Sequence, residues 1–159
     1  MRVAVCGPAA CTDEQARAAF EVGRQLARRG AIVLCGGGTG VMAAVAAGAR
    51  SLGALVIAIA PGPEPDVADA TVAITTGLGQ ARNAVLVNSA DAVIAVGGSW
   101  GTLSEVAMAM RRRQYRPDLP VITLGGWRVV DAGGAPVDGP LIATDPEHAV
   151  TLALGPKRQ

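Results

Sequence analysis

The sequence predicts an α/β fold: a mostly parallel sheet of six or seven strands, covered on both faces by helices in a three-layer sandwich. Three observations carry that expectation. The strand candidates are short, uniformly apolar runs without polar alternation, which is how strands covered on both faces read. They alternate with helical patterns from one end of the chain to the other, as successive strand–helix–strand units do. Half of the residues are hydrophobic and only 3% are aromatic, so the core must be filled by Ala, Val, Leu and Ile. A length of 159 residues suits one domain. No repeat or low-complexity linker divides residues 1–159, and a single domain is expected.

The elements follow in order. Residues 3–6 form a first strand. Thr12-Asp13-Glu14-Gln15 is a capping box, in which the ends of Thr12 and Gln15 satisfy each other's backbone, and it opens a helix. Ala16, Ala19, Phe20, Gly23, Leu26 and Ala27 recur at helical spacing as its buried face, and Arg28, Arg29 and Gly30 close it. A second strand spans 31–35, and Gly36-Gly37-Gly38-Thr39-Gly40 leads into a small-residue helix over 41–52. A third strand covers 55–60, a Pro- and Gly-rich surface loop 61–66, and a fourth strand 71–75. A helix over 80–89 precedes a fifth strand at 92–96. The second glycine cluster, Gly97-Gly98-Ser99-Trp100-Gly101-Thr102, opens a helix running to Arg113. A sixth strand at 120–124, a loop or small hairpin over 125–140, a seventh strand at 141–144 and a helix over 146–154 complete the chain.

Bulk properties exclude several functions. Lys and Arg total 14 against 13 Asp and Glu, which supplies no basic field to track nucleic acid or an anionic membrane. The longest apolar run, residues 54–60, is far below the roughly 20 residues of a membrane span. The N-terminus lacks the apolar stretch and cleavage site of a signal peptide, so a cytoplasmic location is expected. Cys6, Cys11 and Cys35 have neither disulfide nor metal-ligand spacing, and the single histidine, His148, opens the last helix. Reduced, largely buried thiols are expected, with no metal site and no Cys/His nucleophile.

In open α/β sheets the ligand crevice lies beyond the carboxyl ends of the strands, where strand order reverses. Both glycine clusters sit at such turns and end at helix N-termini, whose free N–H groups favour an anion, most obviously a phosphate. Neither is a familiar nucleotide motif. Residues 97–102 lack the lysine of a P-loop, and residues 36–41 end in Val41 where a dinucleotide fingerprint needs glycine. A mononucleotide or another phosphate-bearing small molecule remains. Glu105, in Thr102-Leu103-Ser104-Glu105, is either a helix-capping residue for Thr102 or a functional carboxylate. Arg82 stands near the start of its helix, where a cation opposes the helix dipole and gains most from an anionic contact. Trp100 either stacks on a ligand ring or packs against a neighbour.

Gly36-Gly37-Gly38-Thr39-Gly40-Val41-Met42, Ala81-Arg82-Asn83 and the run from Ser89 through Asp91, Gly97-Gly98-Ser99-Trp100-Gly101-Thr102 and Glu105 together resemble the LOG-like family, often labelled lysine decarboxylases. The resemblance covers about residues 3–124 and implies a Rossmann-like fold and a homodimer or higher homo-oligomer. It also implies hydrolysis of the N-glycosidic bond of a nucleoside 5′-monophosphate, releasing free base and ribose 5-phosphate. On that reading the backbone around residues 98–102 holds the phosphate, and Arg82 and Glu105 are the catalytic pair. Asn83 and Val96 depart from the family's Arg-Lys and Pro-Gly-Gly patterns. Those departures resemble a short bacterial branch similar to a molybdenum-cofactor carrier protein, which would bind a phosphate-bearing pterin without turning it over. The decarboxylase label itself finds no support, since the single lysine, Lys157, is in the terminal tail.

Overall fold

The computed structural model describes residues 1–63 and 68–156. Glu64, Pro65 and Asp66 of the expected loop, and Lys157, lie outside the described residues. Seven strands alternate with five helices: β1 (Arg2–Cys6), α1 (Asp13–Arg28), β2 (Ile32–Cys35), α2 (Val41–Arg50), β3 (Val56–Ala60), β4 (Val72–Thr75), α3 (Arg82–Ser89), β5 (Ala92–Val96), α4 (Trp100–Arg113), β6 (Val121–Leu124), β7 (Leu141–Ala143) and α5 (Pro146–Leu154). They form one sheet in the order β4-β3-β2-β1-β5-β6-β7, and every neighbouring pair is parallel. This is the Rossmann-like sandwich that the alternating pattern predicts.

Side-chain alternation along each strand divides the core in two. Val3, Val5, Val33 and Cys35 point to one face and pack against α1, α2 and α5. Ala4, Cys6, Leu34 and Val93 point to the other and pack against α3 and α4. The Thr12 capping box forms as expected, with Gln15 N–H donating to Thr12 Oγ1 at 3.2 Å and Thr12 N–H to Gln15 Oε1 at 3.1 Å.

Three local expectations are corrected. Phe20 is 37% exposed, and Val22, one helical step around, takes the buried place on α1 instead. β4 is an edge strand paired with β3 alone, and all four of its residues are exposed. The helix expected over 80–89 begins with a 3-10 turn, Gly79–Ala81, and only becomes α-helical at Arg82. Among the described residues, no helix is long and apolar enough to cross a membrane.

Candidate functional site

Strand order reverses at β1, which β2 flanks on one side and β5 on the other. The loops after β2 and β5 therefore open at the carboxyl edge on either side of the turn after β1. The Gly36–Gly40 segment is braced against that middle turn: Val41 N–H donates to Pro8 O at 3.1 Å and Thr39 Oγ1 to Ala9 O at 3.0 Å. Gly40 has φ +61°, and a Cβ there would run into the carbonyls of Pro8 and Ala9, so only glycine serves at this position. No side chain caps α2, and its N-terminus is left to backbone groups.

The second loop ends differently. Ser99, extended at φ −144°, is the N-cap of α4, and its Oγ accepts the Thr102 N–H at 3.2 Å. Trp100 and Gly101 then occupy the first two helical positions, where an N–H has no intrahelical acceptor. Those two groups are left at the positive end of the α4 dipole.

Ser99, rather than Thr102, is thus the cap, and the helix starts three residues earlier than a Thr102–Glu105 capping box requires. Glu105 consequently lies in the second turn with its side chain turned inward, 5% exposed. There it meets Arg82, from the first position of α3, with Nη1 3.4 Å from Oε1. The guanidinium lies flat across Gly36, leaving no room for a Cβ there. Beneath the pair, the Cys6 thiol at the end of β1 interacts with the Glu105 carboxylate. Burial pushes Glu105 up from the ordinary carboxylate range, and the charge of Arg82 and hydrogen bonding from Cys6 and Arg82 pull against it. Burial, reinforced by the neighbouring carboxylate, raises Cys6 well above an ordinary thiol. Two buried polar atoms beside this cluster, Arg82 Nε and Asn83 Oδ1, have no hydrogen-bond partner.

Trp100 is the opening residue of α4 rather than part of a loop, and it is 76% exposed. Its ring stands 5.1 Å from that of Trp127, at an interplanar angle of 38°. Trp127 is the residue that motif reading missed. Its Nε1–H donates to Ser99 O at 3.1 Å, and its ring presses so closely on Gly98 that a Cβ there would sit 2.7 Å from Cδ1. Arg82 therefore contacts both Glu105 and Gly36, while Gly98, Ser99 and Trp100 meet Trp127, Gly97 and Thr102 line the same cavity as Trp127, and Gly101 follows Trp100 in α4. Gly37, Gly38 and Thr39 lie in the first loop beside β1. Asn83 stands in the Ala81-Arg82-Asn83 segment, whereas Cys6 and Trp127 could have been found only from strand register and loop packing, since neither stands in a recognisable motif. His148 is engaged locally, its N–H donating to Asp145 Oδ1 at 2.8 Å.

Comparison with known proteins is consistent across sequence and fold. An uncharacterized protein of Archaeoglobus fulgidus is 41% identical over 133 residues, covering 82% of this chain and 88% of the relative. The molybdenum cofactor binding protein of Rippkaea orientalis is 32% identical with a TM-score of 0.81, the match covering 95% of this chain and 93% of that one. The molybdenum cofactor carrier protein of Chlamydomonas reinhardtii is 31% identical with a TM-score of 0.76, covering 94% and 93%. Residues 1–132 match the SLOG cluster4 family, and with that match covering most of its length the chain belongs to this family.

Proposed function

We propose that this protein is a binding and carrier protein for a phosphate-bearing small molecule of the molybdenum-cofactor type, held without being consumed. The observation that carries this reading is the state of Glu105. A carboxylate that stabilises an oxocarbenium-like sugar or orients water must reach the ligand, whereas this one is buried and engaged by Arg82 and Cys6. In the same region the Trp100 and Gly101 N–H groups at the start of α4 are free of intrahelical partners and suited to a phosphate. The exposed Trp100 and Trp127 rings offer a surface on which a flat heterocycle stacks. Arg82 Nε and Asn83 Oδ1 supply one unmatched donor and one unmatched acceptor. Full-length likeness to proteins described as binding or carrying molybdenum cofactor supports the same reading.

The phosphoribohydrolase reading keeps one observation in its favour, the meeting of Arg82 and Glu105 at the sheet's carboxyl edge. One experiment separates the two. The purified protein is incubated with molybdenum cofactor and, separately, with AMP and cytokinin riboside monophosphates. Carrier function requires that the cofactor raise the melting temperature and be recovered intact. Release of free base from a monophosphate, abolished by Glu105→Gln, would overturn it in favour of hydrolysis.

A further inference from the structure

The connection between β6 and β7 folds back over the α3/α4 face of the sheet as an irregular hairpin. One antiparallel bridge, Val130 with Pro136, closes it, and Asp131 Oδ1 accepts the N–H groups of Gly133 and Ala135 at 2.8 and 2.9 Å. Beneath it lies a half-open cavity of about 100 Å³. Register sets the floor: Ala95, Thr123 and Ile142 stand abreast on β5, β6 and β7. Val106 of α4 forms one wall, Val137 of the hairpin part of the roof, and Arg128 stands at the rim. At ~10–15 Å³ per water this space takes several waters or one small organic molecule, and apolar walls favour the organic molecule.

Two groups in this lining have no partner. Thr123 is 8% exposed, and its hydroxyl makes no hydrogen bond among the described residues. The hydroxyl is open to the cavity rather than sealed in the protein, so a ligand atom entering the cavity can hydrogen bond to it. Arg128 is exposed at the rim and makes no ion pair or hydrogen bond among the described residues, so its guanidinium is free to meet an anion entering the apolar space. Both groups can donate, and a carboxylate, with two acceptor oxygens and one negative charge, is the simplest group that uses both. The apolar walls specify the rest of the molecule.

We propose that this cavity binds a small apolar carboxylate, branched-chain or aromatic, at a site distinct from the Arg82–Glu105 cluster. The two sites lie on different flanks of α4: Val106 and Thr102 line the cavity, whereas Glu105 faces Arg82. Gly97, Thr102 and Trp127 also line the cavity, which therefore adjoins the second glycine loop while remaining separate from the exposed start of α4.

The test is a titration of the full chain with benzoate and isovalerate, followed through the methyl resonances of Val106, Val137 and Ile142, with benzyl alcohol as the uncharged counterpart and inorganic phosphate as the probe for the start of α4. The expected result is saturable shifts with the carboxylates, weaker binding of the alcohol, and no movement of these methyls with phosphate. Thr123→Val keeps the side-chain shape and Arg128→Gln changes an exposed position, so both variants remain folded; each weakens carboxylate binding about tenfold. Unchanged affinity in both variants, equal affinity for the alcohol, displacement of the carboxylate by phosphate, or failure to saturate would each overturn the proposal.

Discussion

Arg82 and Glu105 reach across from α3 to α4 and pair at 3.4 Å with only 11% and 7% of their side chains exposed. The pair joins two helices that also share apolar contacts and the hydrogen bond from Arg112 Nη1 to Val87 O, and it fixes Arg82 against Gly36. A buried pair of this kind adds little over an apolar substitute, but breaking one half is costly because the remaining charge loses its partner inside the protein.

Arg82→Met, which leaves the Glu105 carboxylate buried without its counter-charge, therefore lowers stability by about 3 kcal/mol, and the double variant Arg82→Met with Glu105→Leu recovers most of that loss. Denaturant unfolding followed by circular dichroism measures both. Equal losses for the single and double variants would show that the pair is not coupled.

Gly36→Ala and Gly98→Ala separate the two halves of the site. The first displaces the guanidinium of Arg82, and the second drives a Cβ into Trp127. Each costs about 1–3 kcal/mol. Only Gly98→Ala changes tryptophan emission strongly, because it alone displaces one of the two indoles in the chain.

The acid limb of stability has a named contributor. Asp91, hydrogen bonded by the side chain and backbone of Arg2, is lowered from 3.8 to about 2. A carboxylate with a depressed folded pKa stabilises the protein above its unfolded value and loses that contribution as pH falls toward the folded one. Asp91→Asn thus lowers the melting temperature by about 2–4 °C at neutral pH, and the difference closes between pH ~4 and ~2. Glu105, raised by burial, works with the opposite sign: its charged form is least welcome in the folded state, and acidification through its raised value relieves that cost.

The three thiols differ in access. Cys11 is partly exposed, whereas Cys6 and Cys35 are buried and both are pushed up by desolvation. Titration with a disulfide reagent near pH 8 gives one fast thiol, and the other two react only as fast as the protein opens. Cys11→Ser removes the fast phase alone.

The layers of this fold were legible because apolar runs and helix caps are local signals. Thr12 and Gln15 sit three residues apart and satisfy each other without tertiary help. Glu105 shows where local reading fails. Thr102 with Glu105 fits the same pattern, but Ser99 stands one turn earlier on extended backbone and captures the helix start. The fitting pattern is left in the helix interior, and the carboxylate becomes available for a partner 23 positions away in sequence. Arg82 and Glu105 were recognisable from motifs, but that Cys6 lies beneath them follows only from strand alternation. Trp127 was invisible because a hairpin folded over a sheet face leaves no periodic trace in sequence, and the cavity that Thr123 lines exists only once that hairpin closes over β6.

The contact between Gly98 and Trp127 also constrains how this site can change over time. The backbone at residue 98 has no space for a side chain while an indole occupies position 127. The two positions, 29 residues apart by number, form one unit of inheritance. A relative that acquires bulk at the first must give up the indole at the second, and with it the hydrogen bond that ties the hairpin to the start of α4.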